Sequence, residues 1–136
     1  IRGPLYSTED LKNDRDLGFK TTHCDDFQTQ STEEIAQRIK DRIGDNPLYL
    51  SIDIDVLDPA HAPGTGTPEI AGMTSREMLN VLRGLKDTNL VSADVVEVAP
   101  AYDHAELTST AAATIVYELV NILARNNSEA NQFQTK

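Results

Sequence analysis

The chain has 136 residues, of which 39% are hydrophobic, and this length indicates one globular domain or part of one. Its 12 Lys and Arg against 22 Asp and Glu give a formal net charge of −10, which argues against binding a nucleic-acid backbone or an anionic membrane, because both require cationic patches. A single cysteine excludes an internal disulfide and a thiolate zinc cluster. No apolar run approaches the ~18 residues of a membrane span. The acidic balance fits a cationic small substrate or a divalent metal.

The chain begins at Ile1, without an initiator methionine, and its opening residues resemble the end of a strand. We expect it to be the C-terminal part of a longer protein. Any targeting segment would then precede these residues, so the sequence makes no prediction about the cellular compartment.

The first half of the chain predicts two helices and two strands. Ser7 and Asp10 have the spacing of a helix-capping pair and predict a short helix that stops near Gly18, followed by a strand over residues 19–24. A second capping box, Ser31 with Glu34, opens an amphipathic helix. Its apolar stripe consists of Ile35, Ile39 and Ile43, and it ends at Gly44. Residues 48–55 (LYLSIDID) are the most strand-like segment.

The second half continues the alternation of helix and strand. Thr74 and Glu77 form a third capping box, and the helix that follows has a buried face of Met78, Leu79, Leu82 and Leu85. Residues 90–98 predict a second strong strand, residues 107 to about 125 a last helix, and residues 126–136 a polar tail that frays. This order predicts right-handed βαβ crossovers and a parallel sheet covered by helices on both faces, hence an α/β fold.

Two carboxylates, Asp53 and Asp55, lie at the end of the first strong strand. Residues two apart in a strand point to the same face, and buried carboxylates side by side are costly unless they are paired or coordinated. A divalent cation relieves this cost, and oxygen ligands suit Mn²⁺ or Mg²⁺. Ligands of open α/β sheets also gather at this end of the strands. The spacing alone leaves two interpretations open, a metal site or a solvent-exposed strand end with caps or salt bridges.

A long loop over residues 56–69 follows these carboxylates and contains three prolines and two glycines. Such loops at the carboxyl end of a strand are usually functional, and this one lacks the GxxxxGK[ST] pattern of a phosphate cradle. We expect Asp58, which precedes Pro59, to order the turn through its own backbone. His61 is interpreted as an exposed loop histidine, with metal ligation as the alternative.

Glu97 lies near the end of the second strong strand. A carboxylate there, near a metal pair, would suit a cationic substrate, and a strand-end salt bridge is the alternative. Further along, Asp103 and Glu106 are candidates to cap the last helix. His23 and Cys24 are neighbours on a predicted strand and would point to opposite faces, which argues against a Cys–His nucleophilic pair.

These segments together resemble the ureohydrolase family, which includes arginase and agmatinase. The resemblance is carried by SIDIDVLDPAHAPGTGTPE at residues 51–69 and DVVEVAPAYDHAELT at residues 94–108, with support from IRGPLYS at residues 1–7 and GMTSREML at residues 72–79. The segment EVAPAYDHAELT is more similar to agmatinase and related guanidino-acid or guanidino-amine hydrolases than to arginase.

The resemblance implies a three-layer α/β/α fold with a mainly parallel sheet, of which residues 1–125 would be the C-terminal part. It also implies two Mn²⁺ ions bridged by hydroxide, which attacks a small cationic guanidino substrate such as agmatine and releases urea and an amine. By motif, Asp53 matches the carboxylate that bridges both ions, Asp55 a ligand of one ion, and Glu97 the glutamate that binds the substrate guanidinium. His61 departs from the pattern, since relatives often carry an aromatic residue there.

The family's other metal ligands, an upstream histidine and a DAHxD-type motif, and its proton-transfer histidine have no match among His23, His61 and His104. We therefore expect this chain to be inactive by itself. The resemblance implies that the full-length parent protein is an amidinohydrolase and a homo-oligomer. Two alternatives stay open. One is a Mg²⁺-dependent phosphoryl-transfer domain, although such sites normally add a phosphate-binding loop or lysine. The other is a non-catalytic homologue retained for assembly.

Overall fold

The computed structural model describes residue 1 and residues 8–134, so the predicted cap at Ser7 and most of the first seven-residue motif lie outside the described residues. The helices and strands are α1 (Thr8–Asp16), α2 (Thr32–Ile43), β1 (Leu48–Asp53), α3 (Ser75–Gly84), β2 (Leu90–Val96) and α4 (Leu107–Gln134). Short 3-10 turns lie at Cys24–Gln28, Ile54–Val56 and Pro100–Tyr102.

The sheet confirms the parallel arrangement. In the part of the chain that the structure describes, β1 and β2 pair in parallel, from Leu48 opposite Leu90 to Asp53 opposite Val96. α3 forms the connection between them, which makes a βαβ unit. The carboxyl ends of both strands therefore meet at one edge of the sheet, and this edge carries the candidate site.

Local sequence signals set the helix ends, as predicted. Ser31 accepts a hydrogen bond from the backbone N–H of Glu34 at 3.2 Å, and the Glu34 carboxylate accepts one from the N–H of Ser31 at 2.8 Å. Gly44 ends α2 with a φ of 58°, a backbone conformation that costs glycine little. Thr74 and Glu77 form the same reciprocal pair at the start of α3. Each pair satisfies backbone N–H groups that a helix leaves without internal partners.

The hydrophobic core lies between the sheet and the helices on one of its faces. The strand residues that pack against this core are Leu50, Ile52, Ala93 and Val95. The residues that alternate with them, Tyr49, Ser51 and Ser92, are exposed. Among the described residues the sheet is therefore covered on one face, whereas the sequence predicted helices on both.

The predicted strand over residues 19–24 is wrong. Residues 19–22 are irregular, and a 3-10 turn begins at Cys24. The Asp26 carboxylate accepts a hydrogen bond from the N–H of His23 at 3.1 Å. Short acidic side chains offer the backbone this local alternative to strand pairing, and Phe19, the largest apolar residue of the segment, is 62% exposed.

The last helix is longer than predicted. α4 continues to Gln134 because its final residues contain neither Gly nor Pro. The side-chain amide of Asn126 donates to the carbonyl oxygen of Thr88 at 2.9 Å, which ties this part of the helix to the segment before β2. The predicted tail therefore begins inside a helix.

α4 qualifies the prediction that no apolar run approaches the length of a membrane span. Residues Leu107–Asn126 are long and apolar enough for one by length and composition alone, with a mean hydropathy of 1.4. One stripe of the helix, however, belongs to the same core as the sheet and consists of Ala112, Ile115, Leu119 and Ile122. Glu118 of α4 pairs with Arg83 of α3. These contacts are those of a core helix in an α/β layer.

Candidate active site

The first strand ends in a turn that holds Asp53 and Asp55 close together. β1 stops at Asp53, and Asp55 lies in the 3-10 turn Ile54–Val56. The Asp53 carboxylate accepts a hydrogen bond from the N–H of Asp55 at 3.1 Å. The prediction that both residues lie in one extended strand is therefore wrong, although the turn keeps them together at the carboxyl end of the strand.

The electrostatic surroundings of Asp53 are unfavourable for its charge. Burial raises the pKa of the Asp53 carboxyl, and the negative charges of Asp55 and Glu97 raise it further. The hydrogen bond from the N–H of Asp55 acts in the opposite direction and does not offset these effects. Asp53 therefore lies within electrostatic reach of Asp55 and Glu97, the other two carboxylates predicted from the sequence. Perturbed carboxyl groups of this kind are enriched at functional sites.

Glu97 directly follows β2 and has a strained backbone. Its φ is 63°, in the left-handed region that non-glycine residues rarely adopt. Such strain is concentrated at functional sites, where the surrounding structure maintains it. The side chain faces Gly66, since a Cβ placed on that glycine would lie 3.9 Å from Glu97 Oε2. The alternative of a strand-end salt bridge is not observed within the described residues.

Thr67 is a residue of this site that the sequence did not reveal. Its hydroxyl donates a hydrogen bond to Asp55 Oδ2 at 2.8 Å. One oxygen of Asp55 is thereby oriented by the same loop that passes Glu97. The only sequence signal was the position of Thr67 in the proline- and glycine-rich loop, because a contact between residues 55 and 67 has no periodic pattern.

The loop itself is held in a fixed shape. Asp58 accepts hydrogen bonds from the N–H groups of Ala60 at 2.8 Å and Ala71 at 3.0 Å. The first bond confirms the predicted turn, and the second also closes the far end of the loop. Gly72 passes so close that a Cβ there would lie 2.6 Å from the Asp58 nitrogen. A rigid loop can support a precise site.

His61 lies on this loop and is half-buried, so the expectation of an exposed histidine holds only in part. Its Nδ1 lies 3.3 Å from the Ser75 hydroxyl at the start of α3. The two residues line one end of a cavity of about 270 Å³ whose other walls are mostly apolar residues of α3 and α4.

Asp103 caps the last helix. Its carboxylate accepts hydrogen bonds from the N–H groups of Thr108 at 2.9 Å and Ser109 at 2.8 Å, and from the Ser109 hydroxyl at 2.8 Å. Burial raises the pKa of Asp103, but hydrogen bonds from Thr108 and Ser109 outweigh it and lower the pKa to about 2. Of the two candidate caps, the structure therefore selects Asp103.

His23 and Cys24 lie in a capping turn and the 3-10 helix that follows it, so the strand argument against a Cys–His pair no longer applies. Burial raises the pKa of the Cys24 thiol, with only the chain's amino terminus acting against this shift. A raised pKa disfavours the thiolate that nucleophilic catalysis needs.

The donor chemistry of Asp53 and Asp55 fits part of a metal site. Their oxygens suit hard divalent cations, and a cation would remove the repulsion that raises the pKa of Asp53. Two carboxylates are an incomplete ligand set. Among residue 1 and residues 8–134, no group of three or more His, Cys, Asp or Glu side chains is arranged to hold a metal ion.

Comparison with known proteins identifies the family. The family model described as the arginase family matches residues 1–121, and the chain belongs to this family. The fold class predicted from the sequence, α/β with a parallel sheet, agrees with this assignment.

Individual relatives agree with the family assignment. The agmatinase of Shigella dysenteriae serotype 1 is 49% identical over 116 residues, which are 85% of this chain and 38% of that protein. The structure of proclavaminate amidino hydrolase from Streptomyces clavuligerus superposes with a TM-score of 0.82 at 43% identity, over 85% of this chain and 39% of that one. The arginase of Bacillus caldovelox superposes with a TM-score of 0.75 at 28% identity, over 83% and 39% of the two chains. The chain thus spans about a third of the length of its curated agmatinase relatives, from 31% and 32% of two in Schizosaccharomyces pombe to 38% of the one in Shigella dysenteriae.

Proposed function

We propose that the complete protein hydrolyses a small cationic guanidino compound, with agmatine as the leading candidate, to urea and an amine. The observation that carries this proposal is the convergence of Asp53, Asp55 and Glu97 at the carboxyl end of two parallel strands, with the pKa of Asp53 raised by burial and by the other two charges. The charges that act on Asp53 are those of Asp55 and Glu97, both negative, and such a site favours cationic ligands.

The two groups of carboxylates would have different roles. Asp53 and Asp55 would be ligands of a Mn²⁺ pair, Asp53 shared between both ions and Asp55 on one of them. Bound Mn²⁺ would lower the pKa of water at neutral pH and stabilise negative charge that develops in the reaction. The remaining ligands would come from parts of the protein outside this chain, in keeping with the 32% to 38% of the length of two agmatinase relatives that it covers.

Glu97 would bind the substrate guanidinium. A carboxylate and a guanidinium match as a planar acceptor and a planar set of N–H donors, which gives both strength and orientation. Its backbone has a left-handed conformation and its Oε2 lies beside Gly66, on the same loop whose Thr67 contacts Asp55. A guanidinium bound there would lie near Asp53, whose pKa the charge of Glu97 raises.

Separate observations argue against the two alternatives, a phosphoryl-transfer domain and a non-catalytic homologue. Membership of the arginase family argues against a phosphoryl-transfer domain, as does the lack of a phosphate-binding pattern in the loop after β1. A non-catalytic homologue would be expected to lose the strained Glu97 and the Thr67 contact to Asp55, and both are present.

The test is urea release by the complete protein after loading with Mn²⁺, with agmatine, 4-guanidinobutyrate and arginine as substrates. We expect activity with agmatine or guanidinobutyrate to exceed that with arginine. Residues 1–136 expressed alone serve as the matched control and should release no urea, because two carboxylates cannot fix a pair of metal ions. A complete, Mn²⁺-loaded protein without activity on any guanidino compound would support the non-catalytic alternative.

A further inference from the structure

The turn before α4 is in direct contact with the loop that follows β1. Gly64 lies against Asp103 so closely that a Cβ on the glycine would be 2.6 Å from the Asp103 Cβ. Real Cβ atoms do not approach other atoms this closely, so only glycine fits here. The contact joins two segments that are about forty residues apart in the sequence.

Hydrogen bonds fix both sides of Gly64. Its N–H donates to the hydroxyl of Thr108 at 2.7 Å, and its carbonyl oxygen accepts from the N–H of Ala99 at 2.8 Å. Thr108 has no exposed surface. The Asp103 carboxylate holds the N–H groups of Thr108 and Ser109. Asp103 therefore fixes the first turn of α4, and Thr108 in that turn fixes Gly64.

The loop residues that follow Gly64 contact both Glu97 and Asp55, the proposed substrate-binding and metal-binding carboxylates. Two and three residues further along the loop, Gly66 faces Glu97 and Thr67 donates to Asp55. Ala99, the other partner of Gly64, lies two residues after Glu97 in the chain. The position of Gly64 thus sets where the loop stands relative to Glu97 and to Asp55 at the same time.

We propose that Asp103 and Thr108 are positioning residues of the active site, which set the separation of the substrate-binding carboxylate Glu97 from the metal-binding carboxylate Asp55 through Gly64. This role rests on the proposed function. The hydrogen bonds that hold the pKa of Asp103 at about 2 keep it charged above pH 4, so the connection persists throughout the range in which such an enzyme works. Neither residue touches substrate or metal in this account.

Thr108 allows a matched test in the complete Mn²⁺-loaded protein. Thr108→Val keeps the shape of the side chain but leaves the buried N–H of Gly64 without an acceptor, whereas Thr108→Ser keeps the hydroxyl. We expect Thr108→Val to lower kcat roughly 10- to 100-fold with KM changed less than about threefold, because small displacements of reacting groups have effects of this size. Thr108→Ser should restore most of the rate. Mn²⁺ content should be equal in all three proteins.

Hydrogen exchange supplies a readout that does not depend on activity. Amide exchange of residues 64–67 should become faster in Thr108→Val and stay slow in Thr108→Ser. If Thr108→Val does not fold, Ser109→Ala is the alternative variant, because it removes a single hydrogen bond to Asp103. We expect it to lower kcat roughly two- to fivefold and to make amide exchange of residues 64–67 faster.

The outcomes separate this inference from the proposed function. A folded Thr108→Val protein with wild-type kcat per Mn²⁺-loaded molecule, or Ser109→Ala with unchanged kcat and exchange, would overturn the positioning role while leaving the hydrolase assignment intact. A lower melting temperature with unchanged kcat would likewise reduce both residues to a structural role. A wild-type protein that releases no urea would overturn both proposals.

Discussion

Asp53 and Asp103 lie at the two ends of the same network of loop contacts, yet the pKa of Asp53 is raised and that of Asp103 is lowered. Three hydrogen bonds surround the Asp103 carboxylate and hold its pKa at about 2. Asp53 accepts one backbone hydrogen bond, and burial and two neighbouring carboxylates raise its pKa. Hydrogen bonds within the chain thus stabilise the charge of Asp103, whereas the single bond to Asp53 does not outweigh burial and the neighbouring charges.

We interpret this difference in surroundings as that between a structural carboxylate and one proposed to bind metal. A carboxylate whose hydrogen bonds are complete has no reason to bind anything further, and Asp103 accordingly caps a helix. A half-buried carboxylate that faces other negative charges lowers the stability of the fold unless a cation is bound. The sequence offered Asp103 as one of two candidate helix caps, whereas the spacing of Asp53 and Asp55 left both a metal site and a capped strand end open.

The largest expected effect is that of Asp53→Asn on activity. The complete protein should lose on the order of 10³-fold or more in kcat/KM, because the substitution removes the charge shared by both proposed metal ions. Steady-state urea production at saturating Mn²⁺ checks this. Asp55→Asn should be milder, since it would affect mainly one ion. Activity of Asp53→Asn within tenfold of wild type would contradict the assignment.

Glu97→Gln should have the next largest effect. The substitution keeps the size of the side chain but removes its charge and replaces one acceptor oxygen with a donor. We expect a loss on the order of 2–4 kcal/mol in transition-state binding, or roughly 30- to 1000-fold in kcat/KM. Mn²⁺ content should stay unchanged, and this is measured on the same preparation. If metal were lost together with activity, Glu97 would belong to the metal ligands instead.

Thr67 offers a smaller and more selective test. Thr67→Val removes the hydrogen bond to Asp55 Oδ2, and removal of a hydrogen bond to a charged group costs roughly 1.5–3 kcal/mol. We therefore expect activity to fall by about tenfold to a hundredfold and the concentration of Mn²⁺ needed for half-maximal activity to rise. Thr67→Ser retains the hydroxyl and is the control. An equal loss in both variants would show that the methyl group, and not the hydrogen bond, matters.

The smallest effect is a change in the stability of the fold, and its sign differs between Asp53→Asn and Asp103→Asn. The pKa of Asp53 is raised in the fold, so in metal-free protein the folded state loses stability as pH rises from the unfolded value of about 3.9 through the raised folded value. Asp53→Asn should therefore stabilise metal-free protein at pH 7, by no more than about 0.5 kcal/mol after solvent screening. Thermal unfolding with and without a chelator measures this.

The pKa of Asp103 is lowered to about 2, so its contribution to stability is present above the unfolded value and is lost as pH falls toward 2. Asp103→Asn should accordingly lower the melting temperature at pH 7, and the difference from wild type should shrink as the pH approaches 2. A melting temperature of Asp103→Asn equal to that of wild type at pH 7 would remove the contrast with Asp53.

Local signals carried most of the fold prediction. The capping boxes at Ser31 and Thr74 depend on residues three apart, and the parallel strands followed from the order of elements. The failures had equally physical causes. The turn after Asp53 and the turn at residues 23–26 are local hydrogen-bonded alternatives to extended strand. The extension of α4 to Gln134 meets no Gly or Pro that would end the helix, and Asn126 within it contacts the segment before β2.

The candidate site was only partly accessible from the sequence. The carboxylates at residues 53, 55 and 97 stood out because they end strands, and their roles came from the family resemblance. The hydrogen bond from Thr67 to Asp55 joins residues 12 positions apart. The contacts of Gly64 with Asp103 and Thr108 join residues about 40 positions apart. No periodic pattern encodes such contacts, so only the folded arrangement shows how the loop is attached.

Manganese stoichiometry is the most direct test of the central claim that the unsatisfied carboxylate is the metal-binding one. The complete wild-type protein, Asp53→Asn and Asp103→Asn are loaded with Mn²⁺, passed through gel filtration and analysed for metal per chain. We predict that wild type and Asp103→Asn retain equal Mn²⁺ and that Asp53→Asn loses most of it. Equal Mn²⁺ in wild type and Asp53→Asn would contradict the account.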